Sequence, residues 1–524
     1  MVALIFLVIC ALAAVICFIF SISRTVELVK NPTKEVSYTA YFKRAIPLVL
    51  GFMVAFTAML IWIYPTCKIT PKVYESIQAV IGGAIFSSSL ASAVNLFIVH
   101  YYRKEVPEAL DKHLYRIMMG AFVLTFVTFF VWTNGFADYL KYPLPNAFSF
   151  KTFIAYPGQT GNIAFYALCI LSGALFVFFL CNYLMKKEYG QSNILESTFV
   201  VAFPAGIIGA RLFYVIGNWA KEFDYGRAFE EVEIFGNTIN VWSPLCIWRG
   251  GLTILGGAIM GIVVGVAWFM WKRKQYSIWV AIDLIVPTIL IAQAIGRWGN
   301  FFNIEVHGFQ SDASYWQWLP RIILNNAQHS SVAGAAEAGK IFVPLFFIEF
   351  ITNLIGYYVI AYVFGKKLRK MTELGDLGCL YIIWYGLTRV FLEPLRDANF
   401  NMGKDGYWSW VWSMIFVIVG CLLILVNHVV RYYIKKKKQT LVLNSNIEKR
   451  SLINLSWISL LTVALVVVGA VLMANGTYTG TISYSVFNVG LIVLILGVSA
   501  LFIAGLAGFN LFTSKRYLKE QNNG

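Results

Sequence analysis

Apolar runs of about twenty residues recur along this chain, separated by short polar and often basic stretches. A helix needs about 20 apolar residues to cross a bilayer, so each run predicts a membrane span. They fall near 2–21, 45–64, 77–100, 117–134, 163–185, 197–217 and 251–271, then near 278–296, 344–364, 377–392, 409–430, 453–473 and 486–512. The run at 377–392 is the least regular, being short and ending in charged residues. The first run lacks a positively charged leader and is followed by further spans, so it reads as a span rather than a signal peptide. The expected fold class is all-α: a polytopic integral membrane protein of about thirteen transmembrane helices.

Composition agrees with this pattern. Of 524 residues, 59% are hydrophobic and 13% charged, and the mean hydropathy is +0.69. A soluble domain carries roughly 25% charged residues, which argues against an ordinary globular protein, and a chain this apolar cannot stay disordered in water. The eight cysteines are scattered without CxxC or paired spacing, so neither a zinc site nor a disulfide framework is indicated. The net charge of +16 alone would suggest a nucleic-acid partner. Its placement says otherwise. Twenty-eight of the 42 basic residues lie in segments after alternate spans, among them Arg24–Arg44, Arg103–Arg116, Lys272–Lys274 and Arg431–Arg450. By the positive-inside rule these segments are cytoplasmic. The expected threading puts the N-terminus outside and the C-terminus in the cytoplasm, and the net charge reads as topology, with no nucleic acid.

Three blocks are expected. Residues 1–150 form a four-helix extension, 151–440 a seven-helix core, and 441–524 a two-helix extension after a polar linker. The long outer loops fall in the middle block, where 297–343 is expected to form a small extracytoplasmic head. No internal repeat is evident, so an inverted-repeat transporter is not supported.

Charged residues at membrane depth are functional candidates by default. Arg211 stands near the outer end of a span. Gly250, Gly251, Gly256 and Gly257 form two pairs that permit close approach of another helix or a ligand. The segment Gly296–Gly308 is the richest, with Arg297, Gly299, Asn300, Asn303, Glu305 and His307 inside it. Arginine presents a planar fork of donors suited to phosphate, and asparagine amides can complete such a cradle. Further along, Tyr385, Arg389, Glu393 and Arg396 lie in one short stretch, with Arg389 and Glu393 spaced i, i+4 for an ion pair. Glu349 lies in an apolar span and needs a partner, for which Arg297 and Arg389 are the candidates.

Gly296–Gly308 resembles the signature of the prolipoprotein diacylglyceryl transferase family, roughly G-R-x-G-N-F-x-N-x-E-x-x-G, at every fixed position. The block at Tyr166-Ala167-Leu168, the segment Gly209–Leu212, the double-glycine block, Pro344–Glu349 and Tyr385–Arg396 are similar to family blocks in the same order. The resemblance covers about 290 residues. It implies a bacterial plasma-membrane enzyme, without cofactor or metal. Its partners would be membrane lipids, phosphatidylglycerol among them, and prolipoprotein signal peptides with a lipobox cysteine. The family moves the diacylglyceryl group onto the cysteine thiol and releases glycerol phosphate. By resemblance Arg297, Asn300 and Arg389 bind the phosphate or headgroup, Glu305 and Tyr385 shape the site, and Arg396 and Glu393 brace it. Tyr166, Arg211, Gly250, Gly251, Gly256, Gly257, Gly299, Asn303, Gly308 and Glu349 are expected to line the substrate. This chain departs from the pattern at Leu255, where some members carry a histidine. His307 and Glu305 are the remaining candidates for a base. A transporter or flippase of an anionic lipid is the competing expectation.

Overall fold

In a computed structural model of the protein, the described residues are 130, 134, 137–150, 154–155, 161–190, 193–219, 229–234, 237–245, 253–272, 276–369, 372–397, 400, 407–437, 449–477 and 484–522. The four spans expected before residue 137 lie outside the described residues, apart from residues 130 and 134, as do Gly250 and Gly251.

The helices, in chain order, are α1 (Phe165–Tyr189), α2 (Asn193–Gly217), α3 (Ile254–Lys272) and α4 (Ile278–Asn303). They continue as the short α5 (Arg321–Asn326), α6 (Leu345–Lys367), α7 (Asp376–Leu392), α8 (Tyr407–Lys437), α9 (Lys449–Asn475) and α10 (Val486–Asn522). Seven of these are long and apolar enough to cross a membrane among the described residues: α1, α2, α4, α6, α8, α9 and α10. Helices α3 and α7 are the shorter ones, and each stands where a span was expected. Large apolar side chains such as Ile262, Trp457 and Leu460 are exposed, as they must be on helices whose surroundings are lipid.

The structure is mostly helical, but the expectation of an all-α chain needs correction in the loops. Strands β1 (Ala147–Phe150) and β3 (Gly161–Ala164) pair antiparallel, as do β2 (Ile154–Ala155), β4 (Phe229–Ile234) and β5 (Asn237–Trp242) in a second sheet. These strands are too short to have shown a two-residue period against the long apolar runs around them. A separate compact unit contains Gln310–Phe342 together with described residues up to Leu144. Within it β6 (Gln310–Asp312) pairs with β9 (Lys340–Phe342), and β7 (His329–Ser330) with β8 (Gly334–Ala335). Arg321 meets Asp138 at 2.7 Å, and Asn326 accepts from the Leu144 amide at 3.0 Å. Arg297–Asn303, which open the stretch expected as a head, are the last turns of α4.

The other unit, Pro145–Phe309 with Val343–Gly524, holds all the long helices among the described residues. Without a hydrophobic force between helices in lipid, close packing through small residues takes its place. Helices α2 and α3 show this directly. A Cβ at Gly256 would lie 2.5 Å from the Gly209 carbonyl oxygen and from the Phe213 Cβ, and one at Gly257 would lie 3.2 Å from the Gly206 oxygen. Gly261 faces Gly206 in the same antiparallel seam. Of the two glycine pairs, Gly256 and Gly257 are approached closely by a neighbouring helix. A buried cluster of Leu290, Ile360, Leu377, Leu380, Ile383, Val417 and Ile424 joins α4, α6, α7 and α8.

Gly256→Val drives its side chain into α2 and is expected to destabilise the fold by about 1–3 kcal/mol, the usual penalty of overpacking. Thermal unfolding of the detergent-solubilised protein checks this; an unchanged midpoint refutes the close α2–α3 contact.

Candidate functional site

The C-terminal turns of α4, the first turns of α6 and the C-terminal turn of α7 converge on one group of charges. Glu349, on α6, is buried and receives three arginines. Its carboxylate is paired with Arg297 Nε, with Arg389 at 3.3 Å and with Arg396 at 3.8 Å. Arg389 also reaches Glu393 at 2.9 Å, four residues on and just past the end of α7, and Arg396 lies 3.8 Å from the same carboxylate. The pair expected from the spacing is present, and both expected partners of Glu349 are found, with Arg396 as a third.

Asparagines extend the network. Arg297 donates to Asn300 Oδ1 at 3.5 Å, and the Asn300 and Asn303 amides both donate to Glu305 Oε1, at 3.3 and 3.2 Å. This arrangement needs a sharp turn after α4. Ile304 closes the helix with φ 47° and Val306 follows at φ 53°, both in the left-handed region that branched residues rarely adopt. The turn folds Glu305 back so that its amide donates to the Asn300 carbonyl at 3.2 Å. Three arginines thus meet two glutamates, and a third, Glu305, joins through Asn300.

Exposure differs across it. The Glu393 and Glu349 side chains are 0% and 6% exposed, Arg396 and Arg389 11% and 13%, and Arg297 26%. The carboxylates lie deepest and Arg297 is the accessible cation. Burial, and then repulsion from Arg389, pushes the Arg396 guanidinium below its ordinary value.

Glycines set the walls. A Cβ at Gly299 would sit 2.4 Å from the Tyr166 ring, so this glycine lets α1 and α4 cross there. A Cβ at Gly308 would sit 2.5 Å from the Leu395 carbonyl oxygen. Its absence lets Gly308 pair with Arg396 in an isolated bridge, with Gly308 N–H donating to Val343 at 2.8 Å and Phe309 N–H to Leu395 at 3.1 Å. That bridge fixes where Arg396 leaves the backbone.

Other expected site residues stand elsewhere. Arg211 is buried and donates to the Pro244 and Ser243 carbonyls, each at 2.9 Å, with its guanidinium 5.6 Å from the Tyr214 ring. It ties α2 to the turn after β5. Tyr385 stacks on Tyr381 and meets Phe416 edge-on. His307 is buried, with Nδ1 2.9 Å from the Gly308 carbonyl oxygen and its ring 4.8 Å from Phe400. The acceptor on Nδ1 places the ring proton there. Burial pushes the His307 imidazole below its ordinary value, against the Gly308 hydrogen bond and nearby Asp397, which raise it.

Two groups lie outside the expected site residues. Trp298 packs against Phe301, Phe346, Phe347 and Phe350, an aromatic wedge beside Arg297 and Glu349. At the other end of α7, Asp283 accepts from the Gly375 and Leu377 amides at 2.9 and 3.0 Å and from Arg369 at 3.1 Å. There Asp376 meets His428 at 2.6 Å and Asn427 at 2.8 Å. Asp283 and His428 were charged or titratable residues inside apolar runs, and that signal was available.

Glu349→Gln leaves three arginines around an uncharged amide, and the loss of a buried partner costs about 3–5 kcal/mol. A marked fall in the thermal midpoint is expected, and wild-type stability excludes the shared-carboxylate arrangement. His307 gives a second test. Its proton affinity is lower folded than unfolded, where the ordinary value is about 6.5. The unfolded chain therefore binds more protons as the pH falls, so stability is full above that value and is lost as the pH drops through it. The midpoint should fall between pH 7.5 and pH 5.5 by more in the wild type than in His307→Gln; equal losses count against it.

Comparison with known proteins bears on this site. The family described as prolipoprotein diacylglyceryl transferase matches residues 155–426. A relative from Streptococcus agalactiae serotype Ia is 33% identical over 268 residues, covering 50% of this chain and 91% of the relative. One from Streptococcus pneumoniae is 31% identical over 289 residues, covering 54% and 97%. One from Bifidobacterium adolescentis is 33% identical over 243 residues, covering 45% and 66%. Each is named phosphatidylglycerol–prolipoprotein diacylglyceryl transferase. The matched residues contain the whole arginine–glutamate network and more than half of the 524 residues, and the chain belongs to the prolipoprotein diacylglyceryl transferase family.

Proposed function

We propose that this membrane protein transfers the diacylglyceryl group of phosphatidylglycerol to the thiol of the lipobox cysteine in prolipoproteins, the first step of lipoprotein maturation. The observation that carries the reading is the convergence of Arg297, Arg389 and Arg396 on the buried Glu349. In the reaction the sulfur attacks the glycerol carbon that bears the phosphate. A carbon–sulfur bond forms, the carbon–oxygen bond breaks, the thiol loses its proton, and glycerol phosphate leaves with the electron pair. Negative charge therefore builds on a phosphate oxygen, and donors already in place for it lower the barrier.

Glu349 and Glu393 hold the guanidiniums from the buried side, so the donor edges do not have to be organised when the lipid arrives. Arg297, the most accessible of the three, meets the phosphate first, with the Asn300 amide beside it. Arg389 and Arg396 lie behind and add to the positive field. A cysteine entering that field ionises more readily, which lessens the demand for a strong base. Leu255 excludes a histidine base before the second glycine pair. His307 and Glu305 remain the two candidates for the base, and Glu305 already accepts from two amides. Tyr385 and Arg211 act here through packing and helix placement.

Family membership favours transfer over the transporter or flippase expectation. The C-terminus belongs on the cytoplasmic side in this reading, because Lys272, Lys366, Lys367 and Arg431 occupy helix ends that alternate with the catalytic end. The basic surplus follows that threading, and no nucleic acid is needed to account for it.

The test is incubation of the full chain with phosphatidylglycerol vesicles and a lipobox peptide. The expected products are a thioether-linked diacylglyceryl peptide and glycerol phosphate, and absence of both from the wild type overturns the proposal. Arg297→Ala should lower the rate on the order of 10²–10³-fold, the range for removal of an oxyanion donor, while the protein still inserts in membranes.

A further inference from the structure

The last turn of a helix leaves four carbonyls without intrahelical donors. In α7 the deficit is deepened by Pro394, which has no N–H and so cannot serve the Val390 carbonyl four residues before it. Two side chains from outside α7 take over, one on α8 and one just before α10. Trp410 Nε1 donates to the Val390 oxygen at 3.3 Å, and the Tyr484 hydroxyl donates to the Phe391 oxygen. Ile492 packs with Val390 and Trp410 in a cluster in which all three are almost wholly buried. Further along α10, Ile495, Ile503 and Leu506 lie against the cluster of Leu380, Ile383, Val417 and Ile424. Positions 492, 495, 503 and 506 recur at helical spacing and define one face.

Trp410 falls inside the family match at 155–426, but Tyr484 and Ile492 lie beyond it. The C-terminal extension therefore touches Val390 and Phe391, between Arg389 and Glu393. We propose that the α9–α10 hairpin is a positioning element for the arginine–glutamate network, acting through Tyr484 and Ile492 on the C-terminal turn of α7. Rotation or fraying of that turn would carry Arg389 away from Glu349, 3.3 Å distant, and from Glu393, 2.9 Å distant. The kinetic part of the proposal rests on the reading of this network as the phosphatidylglycerol headgroup site; the structural part does not.

The experiment uses the full chain with Ile492→Ala, Ile492→Val, Tyr484→Phe and, as a control, Val468→Ala on the exposed face of α9. Hydrogen exchange of the amides in 390–396 is measured beside KM for phosphatidylglycerol. Ile492→Ala should speed exchange there about tenfold and raise KM at least threefold. Tyr484→Phe should move both in the same direction, Ile492→Val should stay within twofold of wild type, and Val468→Ala should change neither. A variant that merely unfolds in part loses kcat and keeps its KM, so KM separates positioning from stability. Unchanged exchange in Ile492→Ala overturns the brace, and faster exchange with an unchanged KM overturns the positioning role. Should the wild type show no turnover with phosphatidylglycerol, the substrate reading fails, and exchange still decides the brace.

Discussion

One carboxylate shared by three guanidiniums sets the terms for the rest of this structure. Charges removed from water are tolerated when opposite charges and hydrogen bonds surround them, and removal of one partner is far more damaging than the pair is stabilising. Glu349 meets that condition only if α4, α6 and α7 end at the same place. Arg297 comes from α4, Glu349 from α6, and Arg389 from the last turn of α7. An error of one helical turn, 5.4 Å, in any of them would strand a charge. The network therefore favours one arrangement of the helices, and the same arrangement leaves Arg297 the most exposed of the three arginines.

Helix α7 is correspondingly held at both ends. At its start the Gly375 and Leu377 amides are taken by Asp283 of α4, and Asp376 is held by His428 and Asn427 of α8. At its end the carbonyls left without donors around Pro394 are taken by Trp410 and Tyr484. Between the two, Gly386 lets α8 approach so closely that an added Cβ would stand 2.7 Å from the Ser413 oxygen. Backbone groups that find no water in a bilayer must be satisfied by the protein, and here the groups that satisfy them also locate Arg389.

Different parts of this site were legible in the sequence to different degrees. Arg389 and Glu393 announced their pairing through i, i+4 spacing, because neighbours on one helix need no knowledge of the fold. The need of Glu349 for a cation was also legible, since an intramembrane carboxylate cannot stand alone, although that it would serve three was not. Gly256 and Gly257 were open to two readings, close approach of a ligand or of a helix. The side chain of Phe213 and the backbone of Gly209 show the approach of the helix. The strands of the loops escaped because two to six residues carry too little periodicity to read, and the role of Asp283 as a cap depends on a segment about ninety residues away.

Hydrophobic run length by itself determined that this chain is a multi-pass membrane protein, and short motifs with fixed spacing determined its family. Both are local properties, set by the thickness of a bilayer and by the donors a phosphate requires. The tertiary structure alone decided which charges meet, which of them stay accessible, and that residues beyond the family match cap the helix carrying Arg389. Those facts depend on contacts between residues from about twenty to about ninety positions apart. In lipid such contacts are selected by close packing and by the need to pair every buried polar group, and neither constraint leaves a periodic trace along the chain.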